Sequence, residues 1–372
     1  MQPPRIIISG GGTGGHIFPA IAIANALKEK CNGQVEILFV GAEGRMEMEK
    51  VPAAGYKIEG LWISGLQRKL TIKNLSFPFK VISSLLKARK IMKAFKPDAV
   101  VGTGGYASGP MLRVASGSGI PTLIQEQNSY PGITNKMLAK RVDRICVAYE
   151  GMERFFPKSK IILTGNPVRQ DILKLDGKRA RAAEFFGLDN EKKTILVIGG
   201  SLGARTLNET VQAGLKQLTD AGLQLVWQTG KAFYPEAVNA LKPFEGKGLF
   251  AFDFISKMDF AYVMADVVIS RAGASSVSEL CLVKKASILV PSPNVAEDHQ
   301  TKNAMALVNH QAALLVKDFE ARKILIGEAI QLAGDVAQVK KLETNISKMA
   351  YSDSAVVIAN EIMSLIHNRK AK

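Results

Sequence analysis

The sequence predicts an α/β protein made of two doubly wound domains, each with a parallel sheet covered by helices on both faces. Three observations support this. Short β-branched runs alternate with helical patterns along the whole chain. The strand-and-glycine sequence RIIISGGG at 5–12 is matched by TILVIGG at 194–200. The length of 372 residues also suits about two domains. We expect domains at 1–168 and 169–349, with a linker near 165–190.

Each element follows from a local pattern. A helix is predicted over 20–28, directly after the first glycine-rich loop, and another over 355–369, where apolar residues recur at helical spacing. The second of these is expected to dock on one of the domains. Buried strands are predicted from short runs rich in Ile, Val and Leu. In chain order they lie at 6–8, 35–40, 99–101, 122–124, 194–198, 223–228, 267–269 and 288–290.

Composition excludes several classes of protein. Hydrophobic residues make up 47% of the chain and charged residues 22%, which disfavours disordered, collagenous and coiled-coil proteins. No apolar run reaches the roughly 18 residues of a membrane span, and the N-terminus lacks the layout of a signal peptide, so we expect neither a membrane span nor export by that route. The cysteines Cys31, Cys146 and Cys281 lie far apart, which predicts reduced thiols.

The net charge of +16 predicts an anionic partner, and the excess lies in the first half of the chain. Residues 1–170 hold 24 of the 49 lysines and arginines but only 11 of the 33 acids. The segment 60–97 carries nine bases and no acid, interleaved with apolar residues. This pattern favours binding to an anionic membrane surface. A helix whose apolar face is simply core is the alternative for part of the segment, and nucleic-acid binding is disfavoured because no recognisable module is present.

The first glycine-rich loop, GGTGGH at 11–16, follows a strand and precedes a helix. Such a loop presents backbone N–H groups to a phosphate, so diphosphate binding is predicted. The same loop fits the GxGxxG fingerprint, which leaves NAD or FAD and a ligand-free turn as alternatives. The only acid near the end of the second strand, Glu43, lies three residues beyond it, which disfavours a dinucleotide. His16 closes the loop and is a candidate general base, with a helix-terminal histidine bonded to backbone as the alternative.

Further loops follow later strands. The glycine loop at 102–110 is expected to share the crevice of the first, unless it merely turns. The loop at 199–208 opens the second domain, where Ser201 adds a hydroxyl donor for a phosphate. At 270–279, small residues lead to Glu279, which suits ribose hydroxyls. The alternative there is an ordinary capped helix, with Ser275 or Ser276 as N-cap.

A last polar loop at 291–304 is suited to hydrogen-bonding a sugar. No Asp-x-Asp, HExxH or paired Cys/His pattern occurs, so no catalytic metal is expected. Three classes of function remain open at this point: a nucleotide-sugar transferase, a dinucleotide oxidoreductase, and a non-catalytic membrane or nucleic-acid adaptor.

Together these motifs resemble the MurG-type UDP-N-acetylglucosamine transferases of bacterial peptidoglycan synthesis. They occur in the order of that family and span most of the chain. The matching blocks are GGTGGHIFP at 11–19, GGYASGP at 104–110, EQN at 126–128, GNPVR at 165–169, GGSLGAR at 199–205, RAGASSVSE at 271–279 and DHQTKNA at 298–304.

The resemblance implies a GT-B fold, in which two Rossmann-like domains face a central cleft and the C-terminal helix, at about 350–372, packs back on the first domain. It implies an inverting transfer of GlcNAc from UDP-GlcNAc to the C4 hydroxyl of MurNAc on undecaprenyl diphosphate, converting lipid I to lipid II. No cofactor or metal is implied. The protein would be peripheral on the cytoplasmic face of the bacterial inner membrane, bound through residues 66–96, with no nucleic-acid partner and with other cell-wall synthesis proteins as candidate partners.

The resemblance also implies site residues. His16 is the expected base and Glu126 the second choice. The acceptor-binding residues would be Gly12, Gly104, Gly105 and Tyr106. Whether His299 or Gln300 contacts the sugar is left open, with Gln300 preferred. The donor-binding residues would be Thr13, Gly14, Gly15, Asn128, Arg169, Ser201, Ile255, Ala274, Ser275, Ser276, Val277, Ser278, Glu279 and Gln300.

Overall fold

The computed structural model describes residues 2–65, 76–168, 170–200 and 203–370. It divides the chain into two compact units. Unit 1 comprises residues 1–168 together with 353–372, and unit 2 comprises residues 169–352.

Unit 1 is built on a seven-stranded parallel sheet. Its elements in chain order are β1 (Arg5–Gly10), α1 (Gly14–Lys30), β2 (Glu36–Ala42), α2 (Glu47–Ala53), β3 (Lys57–Leu61), α3 (Phe77–Phe95), β4 (Ala99–Gly104), α4 (Ser108–Gly117), β5 (Thr122–Glu126), α5 (Ile133–Leu138), β6 (Arg144–Val147) and β7 (Ile161–Leu163). The strand order is β3-β2-β1-β4-β5-β6-β7. The direction of strand addition therefore reverses between β1 and β4, where doubly wound folds bind ligands.

Strand β1 shows why the sequence folds in this way. Ile6, Ile7 and Ile8 are each 0% exposed, because a central parallel strand is covered on both faces. Ile7 packs into the core beneath α3 and α4. Ile6 and Ile8 point the other way, into a core completed by α1 and by the C-terminal helix.

Unit 2 repeats the plan with a six-stranded parallel sheet in the order β10-β9-β8-β11-β12-β13. The reversal of strand order falls between β8 and β11. Its elements, with the C-terminal helix that follows, are α6 (Arg179–Phe186), β8 (Thr194–Ile198), α7 (Arg205–Asp220), β9 (Gln224–Gln228), α8 (Tyr234–Leu241), β10 (Leu249–Phe252), α9 (Met258–Met264), β11 (Val267–Ser270), α10 (Ala274–Val283), β12 (Ser287–Leu289), α11 (His299–Val308), β13 (Leu314–Leu315), α12 (Ala321–Gly334), α13 (Val336–Ser347) and α14 (Ser354–Lys370).

The predicted fold class is confirmed, since both sheets are parallel and helix-covered. All eight predicted strands are present. The strands β3, β6, β7, β10 and β13 were not predicted; each lies at an edge of its sheet or next to one, and none is longer than five residues. The predicted linker at 165–190 is wrong in part, since it contains α6, whose Ala183 and Phe186 are buried in unit 2.

Helix α14 returns to unit 1 and packs against α1. Ile358 and Ile362 are 0% exposed and belong to the same core as Ile6 and Ile8. In the part of the chain that the structure describes, no helix is both long enough and apolar enough to cross a membrane.

Candidate active site

In unit 1, two glycine loops meet at the point where strand order reverses. The Gly11 N–H donates to the Gly104 carbonyl at 3.2 Å. Gly105 has φ +83°, and a Cβ there would lie 2.3 Å from the Gly11 carbonyl oxygen. Gly104 has φ +101°, and a Cβ there would lie 2.8 Å from the His16 imidazole. Only glycine fits these positions, because both the backbone conformation and the space exclude a side chain.

A buried carboxylate that the sequence did not reveal holds the first loop. Glu47 is 0% exposed and accepts from the Gly12 N–H at 2.8 Å and from the Ala42 N–H at 2.9 Å. The Gly12 N–H, predicted to serve the acceptor diphosphate, is therefore already bonded within the protein. The acid noted in the sequence, Glu43, instead pairs at the surface with Lys87 at 3.0 Å.

His16 lies at the start of α1, half-buried. Its Nδ1 is 2.9 Å from Gln127 Oε1, and its carbonyl accepts from the Thr103 hydroxyl at 3.0 Å. The alternative of a helix-terminal histidine ring bonded to backbone is wrong, because the ring contacts a side-chain amide. Thr13 is the N-cap residue of α1, and its exposed side chain leaves the helix start, with Gly14 and Gly15, open to a ligand.

Glu126, the second candidate base, is 1% exposed and serves a different purpose. Its Oε1 accepts from the Asn128 N–H at 3.0 Å and from Asn128 Nδ2 at 3.3 Å. Its Oε2 accepts from the Gly132 N–H at 3.2 Å and from Asn135 Nδ2 at 2.8 Å. Both oxygens thus anchor the loop after β5, which orients Asn128 but leaves the carboxylate poorly placed to take a proton from a substrate.

In unit 2, a cavity of about 380 Å³ lies at the carboxyl ends of β8, β11, β12 and β13, where strand order again reverses. This volume is in the range of small-molecule sites. The residues that line the cavity are Gly199, Gly200, residues 203–206 at the start of α7, Arg271, Gly273, Ser276, residues 292–294, Gln300 and Asp318.

The charged residues of this cavity form a fixed cluster. Arg271 Nη1 donates to the Val290 carbonyl at 3.0 Å, to the Pro291 carbonyl at 3.2 Å and to Asp318 Oδ1. Asp318 Oδ2 accepts from the Thr206 hydroxyl at 3.0 Å. Asp318 could not be singled out from the sequence, because it follows a strand of only two residues and reaches Arg271 only through the order of the strands.

Several predicted donor-binding residues lie at the cavity and others do not. Ser276 and Gln300 line it, whereas His299 does not. Gln300 Oε1 accepts from the Ser292 N–H at 2.9 Å, which ties α11 to the loop after β12. Arg169 and Ser201 lie outside the described residues.

The start of α10 corrects one expectation. Its N-cap residue is Gly273, without a side-chain cap, so the alternative with Ser275 or Ser276 as N-cap is wrong. Both serines, with Ala274, occupy the first turn, and Ser278 lies half-buried in the second. Val277 is 1% exposed, so its side chain belongs to the core.

Glu279, predicted to bind the ribose, and Ile255, predicted to bind the donor, do not line the cavity. Glu279 Oε2 accepts from the hydroxyl of the buried Tyr262 at 2.8 Å. The Ile255 N–H donates to Gln228 Oε1 at 3.0 Å, and Gln228 Nε2 donates to the Gly200 carbonyl at 3.2 Å. Gln228 thus joins Ile255 to the glycine loop after β8.

Unit 1 also carries exposed apolar side chains around the basic segment, of which residues 66–75 lie outside the described part. The core face of α3 consists of Ser84, Ala88, Ile91 and Met92. Its apolar residues Phe79, Ile82 and Leu86 are instead 69%, 57% and 57% exposed. The core alternative therefore fails for Ile82 and Leu86.

Unit 1 exposes further apolar side chains outside α3. Trp62 is 48% exposed, and Lys80 Nζ lies 5.7 Å from its ring centroid. Tyr106, on the second glycine loop, is exposed and lies against Gly65. Ile133 and Met137 of α5 are exposed as well. We call the exposed side chains of Phe79, Ile82 and Leu86, with Trp62 beside Lys80 of the same helix, the apolar surface of unit 1.

Across the described ranges, no three His, Cys, Asp or Glu side chains are grouped so that they could hold a metal ion. Cys146 and Cys281 are buried, and burial raises the pKa of the Cys281 thiol to about 12. The described cysteines are all free thiols.

Comparison with known proteins covers nearly the whole chain. Residues 6–147 match the glycosyltransferase family 28 N-terminal domain, and residues 194–361 match the glycosyltransferase family 28 C-terminal domain. A protein of Phocaeicola vulgatus is 60% identical over 362 residues, 97% of this chain and 96% of its own. One from Parabacteroides distasonis is 55% identical over 369 residues, 99% of this chain and 100% of its own.

Both relatives are named UDP-N-acetylglucosamine–N-acetylmuramyl-(pentapeptide) pyrophosphoryl-undecaprenol N-acetylglucosamine transferase. Among solved structures, Acinetobacter baumannii MurG superimposes with a TM-score of 0.80 at 28% identity. That match covers 97% of this chain and 100% of the other.

Proposed function

This chain belongs to glycosyltransferase family 28. We infer that it transfers N-acetylglucosamine from UDP-N-acetylglucosamine to the muramyl sugar of an acceptor linked to undecaprenyl diphosphate. The reaction converts lipid I to lipid II in peptidoglycan synthesis. The observation that carries the inference is the 60% identity, over 97% of the chain, to a relative with that name. A ligand site at the strand-order reversal of each unit agrees with a reaction that joins two substrates.

For the chemistry, the proposal assigns the base to His16. Its imidazole takes the proton of the C4 hydroxyl of MurNAc, and that oxygen forms a bond to C1 of GlcNAc. The bond from C1 to the diphosphate oxygen breaks at the same time, and UDP leaves with the electron pair, so the configuration at C1 is inverted. Glu126 is not assigned this step because both of its oxygens hold the loop after β5.

The donor is assigned to the cavity of unit 2. The departing diphosphate needs positive charge, which the first turns of α7 and α10 are placed to supply. Ser276 and Gln300 would contact the diphosphate or the sugar. We propose that these groups suffice without a metal, so that the reaction proceeds in the presence of a chelator.

The acceptor carries a long prenyl chain, and the apolar surface of unit 1 suits its location. Exposed Phe79, Ile82 and Leu86 lie on a helix with exposed bases at Arg89 and Lys90, a combination that binds anionic bilayers. We propose peripheral binding at the cytoplasmic face of the plasma membrane through this surface.

The test is transfer of labelled GlcNAc from UDP-GlcNAc to a lipid I analogue in EDTA, for the wild type, His16→Ala and His310→Ala. His310 is the matched control, since it is exposed and its Nδ1 meets a backbone carbonyl at 2.9 Å. Wild type and control should form product, and His16→Ala should lose about 100-fold or more in turnover.

Other outcomes separate the parts of the proposal. Equal rates for the two variants would remove His16 as the base but keep the transferase. Loss of wild-type product in EDTA, restored by a divalent ion, would overturn the metal-free mechanism. No product under any of these conditions, despite UDP-GlcNAc binding, would point to a different acceptor.

A further inference from the structure

We propose that Gln127 is a positioning residue that holds His16 in the tautomer with its proton on Nδ1, so that Nε2 is the atom that takes the acceptor's proton. The inference deepens the proposed function and rests on it in one respect, because Nε2 serves the reaction only if His16 is the base. Gln127 is 1% exposed, and nothing in the sequence set it apart from its neighbours.

The argument begins at Asn166, where a backbone carbonyl fixes the first amide. Asn166 Nδ2 donates to the Gln127 carbonyl at 2.9 Å, and a carbonyl oxygen can only accept. Asn166 Nδ2 is thereby identified as the nitrogen, and the other side-chain atom of Asn166, Oδ1, is the oxygen that accepts a hydrogen bond. Gln125 Nε2 donates to it at 2.8 Å, which turns Gln125 Oε1 toward Gln127.

The Gln127 side chain is then fixed by three oxygens. Its Nε2 lies 2.7 Å from the Thr103 carbonyl and 3.0 Å from the Gln125 carbonyl, and it also donates to Gln125 Oε1. A reversed amide would set Oε1 against oxygens that have no proton to offer. The side-chain oxygen must therefore face His16 Nδ1, at 2.9 Å.

This orientation determines the histidine. Gln127 Oε1 has no proton, so the contact is a hydrogen bond only when Nδ1 carries one. The neutral ring then has its lone pair on Nε2. After Nε2 accepts a proton, the same Nδ1–H bond persists, so the network need not rearrange during the reaction. Thr103 and Gln125 are 0% exposed and Asn166 is 3% exposed, so water is largely excluded from the amides.

The direct test is nitrogen-15 NMR of the full chain labelled at its four histidines, with His16 signals identified by their absence in His16→Gln. We expect neutral His16 to be the Nδ1–H tautomer in the wild type, and the Nε2–H tautomer to appear in Gln127→Met, which keeps the length but lacks the acceptor. A wild-type Nε2–H tautomer, or an unchanged Nδ1–H tautomer in Gln127→Met, would overturn the proposal.

Kinetics provide a second readout. Gln127→Met should lower kcat about 10- to 100-fold with KM for UDP-GlcNAc unchanged, because Gln127 acts through another residue. Gln127→Glu keeps an acceptor for Nδ1–H, and its second oxygen meets the Thr103 and Gln125 carbonyls only when it is protonated, so this variant should recover part of kcat in its neutral form. In Gln127→Met the imidazolium loses the acceptor of its Nδ1–H bond, so the acid limb of the kcat profile should move to lower pH. A Gln127→Met enzyme with wild-type kcat and pH profile would contradict the proposal.

Gln125→Met is the matched control, because it breaks the same buried network but leaves Gln127 held by two backbone carbonyls. It should lower the unfolding temperature without moving the tautomer or the acid limb. If Gln125→Met changed the His16 tautomer and the acid limb of the kcat profile as Gln127→Met does, both changes would come from disruption of the buried network as a whole, and the specific role of Gln127 would be refuted. If His16→Ala kept full turnover while the NMR result held, the proposed base would fail and the positioning by Gln127 would stand.

Discussion

Replacing Phe79, Ile82 and Leu86 together by glutamine should detach the protein from anionic vesicles. Full burial of such a side chain is worth about 1.5–3 kcal/mol. These three side chains are 69%, 57% and 57% exposed, so insertion into a bilayer can bury that fraction of each side chain. The sum is about 3–5 kcal/mol at complete burial, which corresponds to a loss in partition coefficient of about a hundred-fold or more.

The assay is co-sedimentation with phosphatidylglycerol vesicles at several salt concentrations. Phe319 and Val336 of unit 2 supply the control, since they are 73% and 67% exposed and glutamine there should leave binding intact. The triple variant should keep its unfolding temperature, because its side chains contribute little to the core. Binding of the triple variant equal to that of the wild type would refute the assignment of this surface.

Three further predictions follow from single contacts. Gly105→Ala should destabilise unit 1 by several kcal/mol and abolish transfer, because its Cβ would lie 2.3 Å from a carbonyl oxygen of the neighbouring loop; wild-type thermal unfolding would contradict this. Gln300→Ala should raise KM for UDP-GlcNAc several-fold and His299→Ala should not, since only Gln300 lines the cavity; the reverse order in a titration would exclude Gln300. Burial raises the pKa of Asp259, but Lys178 at 2.7 Å more than offsets this and holds that pKa below its ordinary value. The pair therefore stabilises the fold above about pH 4, and this stabilisation is lost as the pH falls through the lowered pKa. Denaturant unfolding should therefore show the largest deficit of Lys178→Met near neutral pH, and a deficit that grows in acid would refute the sign.

The strands and glycine loops were predictable because their causes are local. A central parallel strand must be apolar on both faces, as Ile6, Ile7 and Ile8 are, and a loop at positive φ needs glycine, as at Gly104 and Gly105. These two rules were enough to place both glycine loops at the carboxyl edges of the sheets.

The side chains that fix each site were not predictable, because their partners are brought together only by the order of the strands. His16 and Gln127 are 111 positions apart, and Arg271 and Asp318 are 47 apart. Glu47 is the first residue of α2, a position at which an acid is usually solvated, yet it lies beneath the glycine loop with no exposure.

The sequence of helix α3 left two interpretations open for a related reason. Its alternating apolar and basic residues satisfy both a core helix and a membrane-bound one, and only the packing of small residues such as Ser84 and Ala88 shows which face is inside.

The return of α14 to α1 has a consequence for how the protein is made. Unit 2 is an insertion within unit 1, so ribosomes complete the whole of residues 169–352 before Ile358 and Ile362 can cover the apolar face of α1. During that interval the apolar residues of α1 and of one face of the first sheet are exposed to solvent. Exposed apolar surface of this kind binds chaperones and promotes aggregation of nascent chains. A message that ended early, just after unit 2, would therefore yield a well-folded second domain attached to an unfinished first one.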